Sequence, residues 1–328
     1  MQTRRLMLAS TGAALLTAPM LRAQSLDDTI AKRAAGFDQL YAIALWTDGE
    51  PAMRRIVRGP AEGATYNVKS VAKTWVASLL GAAIARGEVS GLDATIGDVA
   101  PRLVPAGADP AVAEITVGNL ASMQAGLERT SGGNYGAWIA SRDWVADALS
   151  REMVTEPGGR MLYSTGSTHV LGAVLAEATG MSLLAQMRER LGAPLGASIP
   201  PWVQDPQGRY LGGNQMGLTL DAMLRFGEMH RQGGMWNGQR VLPEDWIEAA
   251  LTPLTRSPWS GLGYGLGWFV GDEGGQRFAL ARGYGGQIIA VGPRTVMAIT
   301  SNPNLPARSQ GYFGDLLSLV REGFRATA

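Results

Sequence analysis

From Ser70 to Arg86 the sequence has a helical pattern that is almost wholly apolar, and it stops at Gly87, a residue suited to the left-handed position that closes a helix. A helix that is apolar on all sides must be buried. The rest of the chain therefore has to build a shell around this segment. Strand-like segments lie on either side of it. Residues 39–47 read as a strand, Asp48 to Pro51 as a turn and Ala52 to Arg58 as the returning strand, with Gly63 to Lys69 as a loop. Near the other end, Tyr264 to Val270, Gln276 to Arg282, Gln287 to Val291 and Thr295 to Ser301 read as short strands separated by Gly and Pro turns. Helices are expected over 117–122, 143–150, 167–179, 181–191, 219–232, 243–250 and 309–324. This order predicts an α/β fold in which one antiparallel sheet is built from both chain ends and flanked by helices, with a mostly helical region inserted. On this reading 24–328 is a single unit. Residues 24–69 and about 255–328 supply the sheet part, and about 70–254 the helical part.

Several chemistries are excluded by what the 328 residues lack. There is no cysteine, so no disulfide, thiolate metal site or cysteine nucleophile. The two histidines, His169 and His230, form no H-E-x-x-H pair. No G-x-G-x-x-G, G-x-x-x-x-G-K-[ST] or G-x-S-x-G occurs. The net charge is +1, and Arg4, Arg5 and Arg22 account for the excess: without them 26 basic residues face 28 acidic ones. No basic stripe points to nucleic acid or an anionic membrane as partner. Residues 1–23 combine Arg4-Arg5, an apolar stretch from Leu6 to Met20 and a cleavage site after Ala23, the plan of a cleavable, twin-arginine-like export signal. A membrane anchor is the other reading, but Gly12 and Pro19 break the apolar stretch. The expected location is periplasmic or secreted, with no stable membrane span after signal removal.

Ser70 and Lys73 form the chain's one S-x-x-K. At i and i+3 on a helix both side chains share a face. A serine hydroxyl needs a base to become a nucleophile, and lysine serves only if burial strips its proton. The spacing alone also fits a capping serine followed by a surface lysine. The apolar setting favours the catalytic reading, because a chain with only three lysines places one where arginine could not lose a proton. A proton carrier is offered by Tyr163, in the loop Glu156 to Gly166 that opens a helix near Ser167, although a packing tyrosine fits there too. Ala281-Arg282-Gly283-Tyr284-Gly285-Gly286-Gln287 lies between two strands. It reads either as a tight turn or as an edge whose N–H completes an oxyanion hole with that of Ser70. Tyr135, in a glycine-rich loop, is a further cleft candidate. His169 reads as a packed core histidine, His230 as a helix cap, and Asn214 and Gln215 as turn residues. Trp202, Trp236 and Trp259 either shape a pocket or pack.

Together these elements resemble the serine β-lactamase and penicillin-recognising hydrolases, over most of residues 40–325. Ser70-Val71-Ala72-Lys73 matches the S-x-x-K box, and Tyr163-Ser164-Thr165 occupies the Tyr-x-Asn box of the class C type with Thr in place of Asn. Gly283-Tyr284-Gly285-Gly286-Gln287 looks like the last box of the branch holding esterases and 6-aminohexanoate-oligomer hydrolases. The Lys-Thr-Gly of penicillin-binding members is replaced by Ala281-Arg282-Gly283. The resemblance implies the β-lactamase/transpeptidase-like fold and an acyl-enzyme on Ser70. It implies Lys73 as base or relay, Tyr163 as proton exchanger and the Ser70 and Tyr284 N–H groups as oxyanion hole. Tyr135, Thr165, Arg282, Gly283, Gly285 and Gln287 would contact substrate. No cofactor or metal is implied. The expected substrate is a small ester or amide. The alternatives are a β-lactamase or D-alanyl-peptide hydrolase, and a catalytically silent member that binds a peptide-like ligand.

Overall fold

The computed structural model describes residues 30–304, Ala31 excepted, and 311–327; the expected export signal lies outside them. Its largest element is an eight-stranded antiparallel sheet in the order β2-β1-β12-β11-β10-β9-β8-β7. The strands are β1 (Leu40–Thr47), β2 (Glu50–Ile56), β7 (Thr255–Arg256), β8 (Gly263–Tyr264), β9 (Phe269–Glu273), β10 (Gln276–Gly283), β11 (Gln287–Val291) and β12 (Thr295–Ser301). Two smaller pairs complete the strands: β3 (Thr65–Asn67) with β4 (Gly217–Thr219), and β5 (Met235–Trp236) with β6 (Gln239–Arg240).

The first and last strands of the chain pair near one edge of the large sheet, where Ile43 of β1 lies opposite Ile299 of β12. Alternation along these strands sorts side chains between two cores, as a period of two requires. Ala42, Ala44, Ala279, Ala281, Ile289, Val296 and Ala298 face the core that holds the apolar helix. Ile43, Leu45, Phe278, Leu280, Ile288, Met297 and Ile299 face the core closed by the C-terminal helix Tyr312–Thr327. Strands buried on both faces carry near-continuous apolar runs, which explains why these segments show little polar alternation.

The apolar segment forms the helix Ala72–Ala85, buried from Ala72 through Ala83. Trp75 stacks on Phe226 with ring centroids 4.1 Å apart, and Trp246 packs against Gly81. Each such large side chain contributes about 1.5–3 kcal/mol on burial. The Thr74 hydroxyl donates to the Gly267 carbonyl at 2.7 Å, tying the helix to the segment between β8 and β9. That contact also corrects an expectation: the single strand read over Tyr264 to Val270 is two, because the chain leaves the sheet between them to meet this helix. Thr65–Asn67, read as loop, is a short strand satisfied by β4. The segment read as one helix over 181–191 is a helix Leu183–Met187 followed by a π turn at Arg188–Gly192.

Candidate active site

Ser70 does not begin the α-helix. It sits in a 3-10 turn, Lys69–Val71, just before it. Lys69 holds a left-handed backbone (φ +51°), a conformation uncommon for a residue with a side chain and frequent where function constrains geometry. Asn67 steadies the turn by accepting the Lys69 N–H at 3.0 Å. Lys73, one turn on, is 1% exposed, and its ammonium donates to three oxygens: Ser70 Oγ (3.2 Å), Thr165 Oγ1 (3.1 Å) and the Gly213 carbonyl (2.7 Å). Burial lowers its pKa from 10.5 to about 7.

Tyr163 precedes the buried helix Thr165–Thr179, which begins two residues earlier than its sequence pattern indicates. The Lys73 ammonium lies 5.2 Å from the Tyr163 ring centroid. Burial raises the phenol above its usual range, and a hydrogen bond with Ser70 and the charge of Arg282 offset part of that rise. Thr165 is fixed as well: its N–H donates to Ser131 Oγ at 2.9 Å, and the two hydroxyls are 3.1 Å apart.

The third element closes the site from the sheet. An added Cβ at Gly283 would lie 2.3 Å from the Val68 carbonyl oxygen, so only glycine lets β10 approach the Ser70 turn. Gly283→Ala is expected to push that turn aside, lowering kcat/KM at least about tenfold and stability by about 1–3 kcal/mol. Steady-state kinetics and thermal unfolding of the variant check both. After Gly283 the chain turns through Tyr284, Gly285 and Gly286, the two glycines at φ +77° and +96°. Among the described residues, neither the Ser70 nor the Tyr284 backbone N–H has a hydrogen-bond partner.

These groups open onto a cleft of about 550 Å³, a size suited to a small ligand. Ser70, Tyr163, Thr165, Tyr135, Arg282, Gly283 and Tyr284 line it, and Lys73 lies beneath. Tyr135 is held there by Asn214, whose amide donates to its hydroxyl at 3.0 Å. Two expected substrate contacts are placed elsewhere. Gln287 is fully buried in β11, donating to the Ser301 carbonyl at 2.7 Å and accepting the Ser301 N–H at 3.1 Å, so it joins β11 to β12. Gly285 backs onto Asn302 and Pro303 rather than the cleft.

The cleft also holds residues that the sequence did not single out. Ser131, Lys69 and Arg129 line it, and so do Asn214 and Gln215, read as turn residues. Trp259 stands at the cleft, whereas Trp236 stacks on Trp46 and Trp202 packs on Tyr210.

Gly213, the acceptor of Lys73, is held by a polar network beneath the cleft. The Gly212 N–H donates to His169 Nδ1 (3.3 Å), so His169 Nε2 donates to the Asp205 carboxylate (3.2 Å), which also accepts from the Gln207 and Arg209 N–H groups. His169 is thus the buried histidine expected, with a part in placing the loop under Lys73. His230 is buried rather than capping an exposed end: it bonds the Phe226 carbonyl and packs on Trp268, and burial lowers its pKa to about 4. Among the described residues no group of three or more His, Asp or Glu could hold a metal ion.

The Beta-lactamase family matches residues 37–312. No curated relative matches the chain. Solved structures share the fold at low identity. A 6-aminohexanoate-dimer hydrolase homologue from Bacillus anthracis is 20% identical, with 90% of this chain and 80% of that one covered and a TM-score of 0.73. EstCE1, a hydrolase with promiscuous acyltransferase activity, is 16% identical over 93% and 98% of the two chains (TM-score 0.72). A penicillin-binding-protein homologue from Caulobacter crescentus is 17% identical over 93% and 97% (TM-score 0.73).

Proposed function

The chain belongs to the Beta-lactamase family, and from that premise we propose that it is a serine hydrolase that cleaves small esters or amides through an acyl-enzyme on Ser70. The observation that carries this reading is the placement of Ser70 Oγ 3.2 Å from the amine of a fully buried lysine whose pKa burial lowers to about 7, so that about half of it is unprotonated at neutral pH, with the Tyr163 phenol interacting with the same hydroxyl. The opposed shifts assign the parts. Lys73, lowered to about 7, takes the Ser70 proton as the oxygen attacks the carbonyl carbon. Tyr163, raised by burial, stays protonated and passes a proton to the leaving oxygen or nitrogen, recovering one from Lys73. Water then attacks the acyl carbon, and the same groups return the proton to Ser70. The unpartnered N–H groups of Ser70 and Tyr284 would hold the developing oxyanion, which costs no reorganisation because the backbone is already fixed. We further propose that residues 1–23 direct export.

A β-lactam substrate is disfavoured by Ala281-Arg282-Gly283, which leaves no lysine in the third box. A panel of nitrophenyl esters, linear amides and nitrocefin tests the assignment. Turnover of esters with slow nitrocefin cleavage is expected. Fast nitrocefin cleavage would replace the esterase reading by a β-lactamase one. Failure of a fluorophosphonate to label the protein would favour a binding role instead.

A further inference from the structure

On the proposed mechanism acylation leaves Lys73 with the proton of Ser70 and Tyr163 without its own. Burial disfavours a phenolate at Tyr163, so that proton has to be recovered. The route from Lys73 through Ser70 is closed at this stage, because the acylated Oγ carries no proton. Of the other two oxygens that the Lys73 amine reaches, the Gly213 carbonyl (2.7 Å) has no proton to pass on. The Thr165 hydroxyl (3.1 Å) has one. Thr165 Oγ1 lies 3.1 Å from Ser131 Oγ, and both residues line the cleft, although Thr165 is buried. Ser131 Oγ also accepts the Thr165 N–H at 2.9 Å. With the Thr165 hydroxyl donating to it as well, the Ser131 proton has no acceptor among the described residues and is free for the cleft. The residue type at 165 matters. An asparagine amide donates from nitrogen and accepts at oxygen, whereas a hydroxyl does both at one atom. Thr165 thus puts a relay atom where the Tyr-x-Asn box has an amide.

We propose that Thr165 and Ser131 form a proton relay from Lys73 to the cleft, which resets the base between the two halves of the reaction. This rests on the serine hydrolase reading and adds two residues to its machinery. The Lys73 ammonium gives a proton to Thr165 Oγ1 as the Thr165 proton passes to Ser131 Oγ and the Ser131 proton to a water molecule entering the cleft. That water returns one proton to the Tyr163 phenolate. Lys73 and Tyr163 end neutral, both hydroxyls are restored, and no proton is gained or lost.

Rapid-mixing kinetics on a nitrophenyl ester separate acylation, read from the burst of nitrophenol, from deacylation, read by mass from the decay of the adduct on Ser70. Ser131→Ala and Thr165→Asn are expected to slow deacylation at least about tenfold, so that acyl-enzyme accumulates, while acylation changes by less than about threefold. Ser131→Ala leaves the bond between Lys73 and Thr165 in place, and Thr165→Asn still offers Lys73 an oxygen, so both interrupt the relay without removing the support of the amine. Thr165→Ser keeps a hydroxyl and is expected to deacylate within about threefold of wild type. Equal losses in the two steps would make Ser131 and Thr165 mere supports of Lys73 and overturn the proposal. Deacylation at the wild-type rate in Ser131→Ala would overturn it too, since the proton would then have another way out. Either outcome leaves the acyl-enzyme, and with it the hydrolase reading, standing. If no adduct forms even on the wild type, the hydrolase reading fails and the relay with it.

Discussion

Ser70→Ala is expected to lower ester turnover by at least about 10⁴-fold and to abolish fluorophosphonate labelling, with stability changed by no more than about 1 kcal/mol. The size of the loss follows from the mechanism. Without the hydroxyl no acyl-enzyme forms, and Lys73 has no serine proton to remove. Only the oxyanion donors and the cleft remain. The small stability change follows from the setting: the hydroxyl contacts Lys73 and Tyr163, and Lys73 keeps its bonds to Thr165 and Gly213. Rates on one ester, labelling and thermal unfolding measure the three parts. Turnover within about tenfold of wild type would remove Ser70 from the chemistry.

Lys73→Met is expected to do two opposite things: lose several decades of rate and stabilise the fold. The amine is withdrawn from water, and its pKa falls from 10.5 to about 7. At about 1.4 kcal/mol per unit, keeping it protonated in the folded state costs on the order of 5 kcal/mol, an upper figure that the cavity fit of methionine reduces. The sign over pH is fixed. Between about 7 and 10.5 the unfolded chain binds more protons at this group than the folded one, so its contribution makes the wild type more stable as pH rises through that window. Below 7 the penalty is constant. The variant should lack this alkaline rise and should melt higher at neutral pH. Wild-type kcat/KM should fall on the acid side near pH 7 as Lys73 takes up its proton. Denaturation curves and rate profiles from pH 6 to 10 check both. A variant less stable than wild type at pH 7 would show that the three hydrogen bonds outweigh the desolvation.

The sequence made some of this legible because some of it is local. Ser70 and Lys73 are one helical turn apart, so their proximity follows from spacing, and burial of the helix follows from its composition. The split of β8 from β9 was not legible, since it depends on the Gly267 carbonyl reaching Thr74 across the fold. Arg129, Ser131, Lys69 and Asn214 reach the cleft from separate loops and turns, with no periodicity to mark them. Gln287 lies next to the glycine turn in sequence, and that adjacency alone suggests a substrate contact. In β11 its side chain is directed to Ser301, and neither motif nor propensity fixes that direction. The doubled glycine Gly212-Gly213 was the available signal for the loop beneath Lys73. An added Cβ at Gly213 would lie 2.2 Å from the Thr168 hydroxyl and 2.9 Å from Lys73 Cγ.

The pairing of β1 with β12 has a consequence in time as well as in space. Thr47 of β1 lies opposite Thr295 of β12, so the contact joins positions separated by most of the chain. The edge proposed to hold the oxyanion approaches the Ser70 turn from β10, in the same late segment. Contacts of such long sequence separation form slowly and only when both partners exist. During synthesis the serine and its lysine emerge early, whereas the β10 edge that faces them emerges some two hundred residues later, and the β12 strand that pairs with β1 later still. On the proposed mechanism the chain is expected to gain activity only once this sheet has closed.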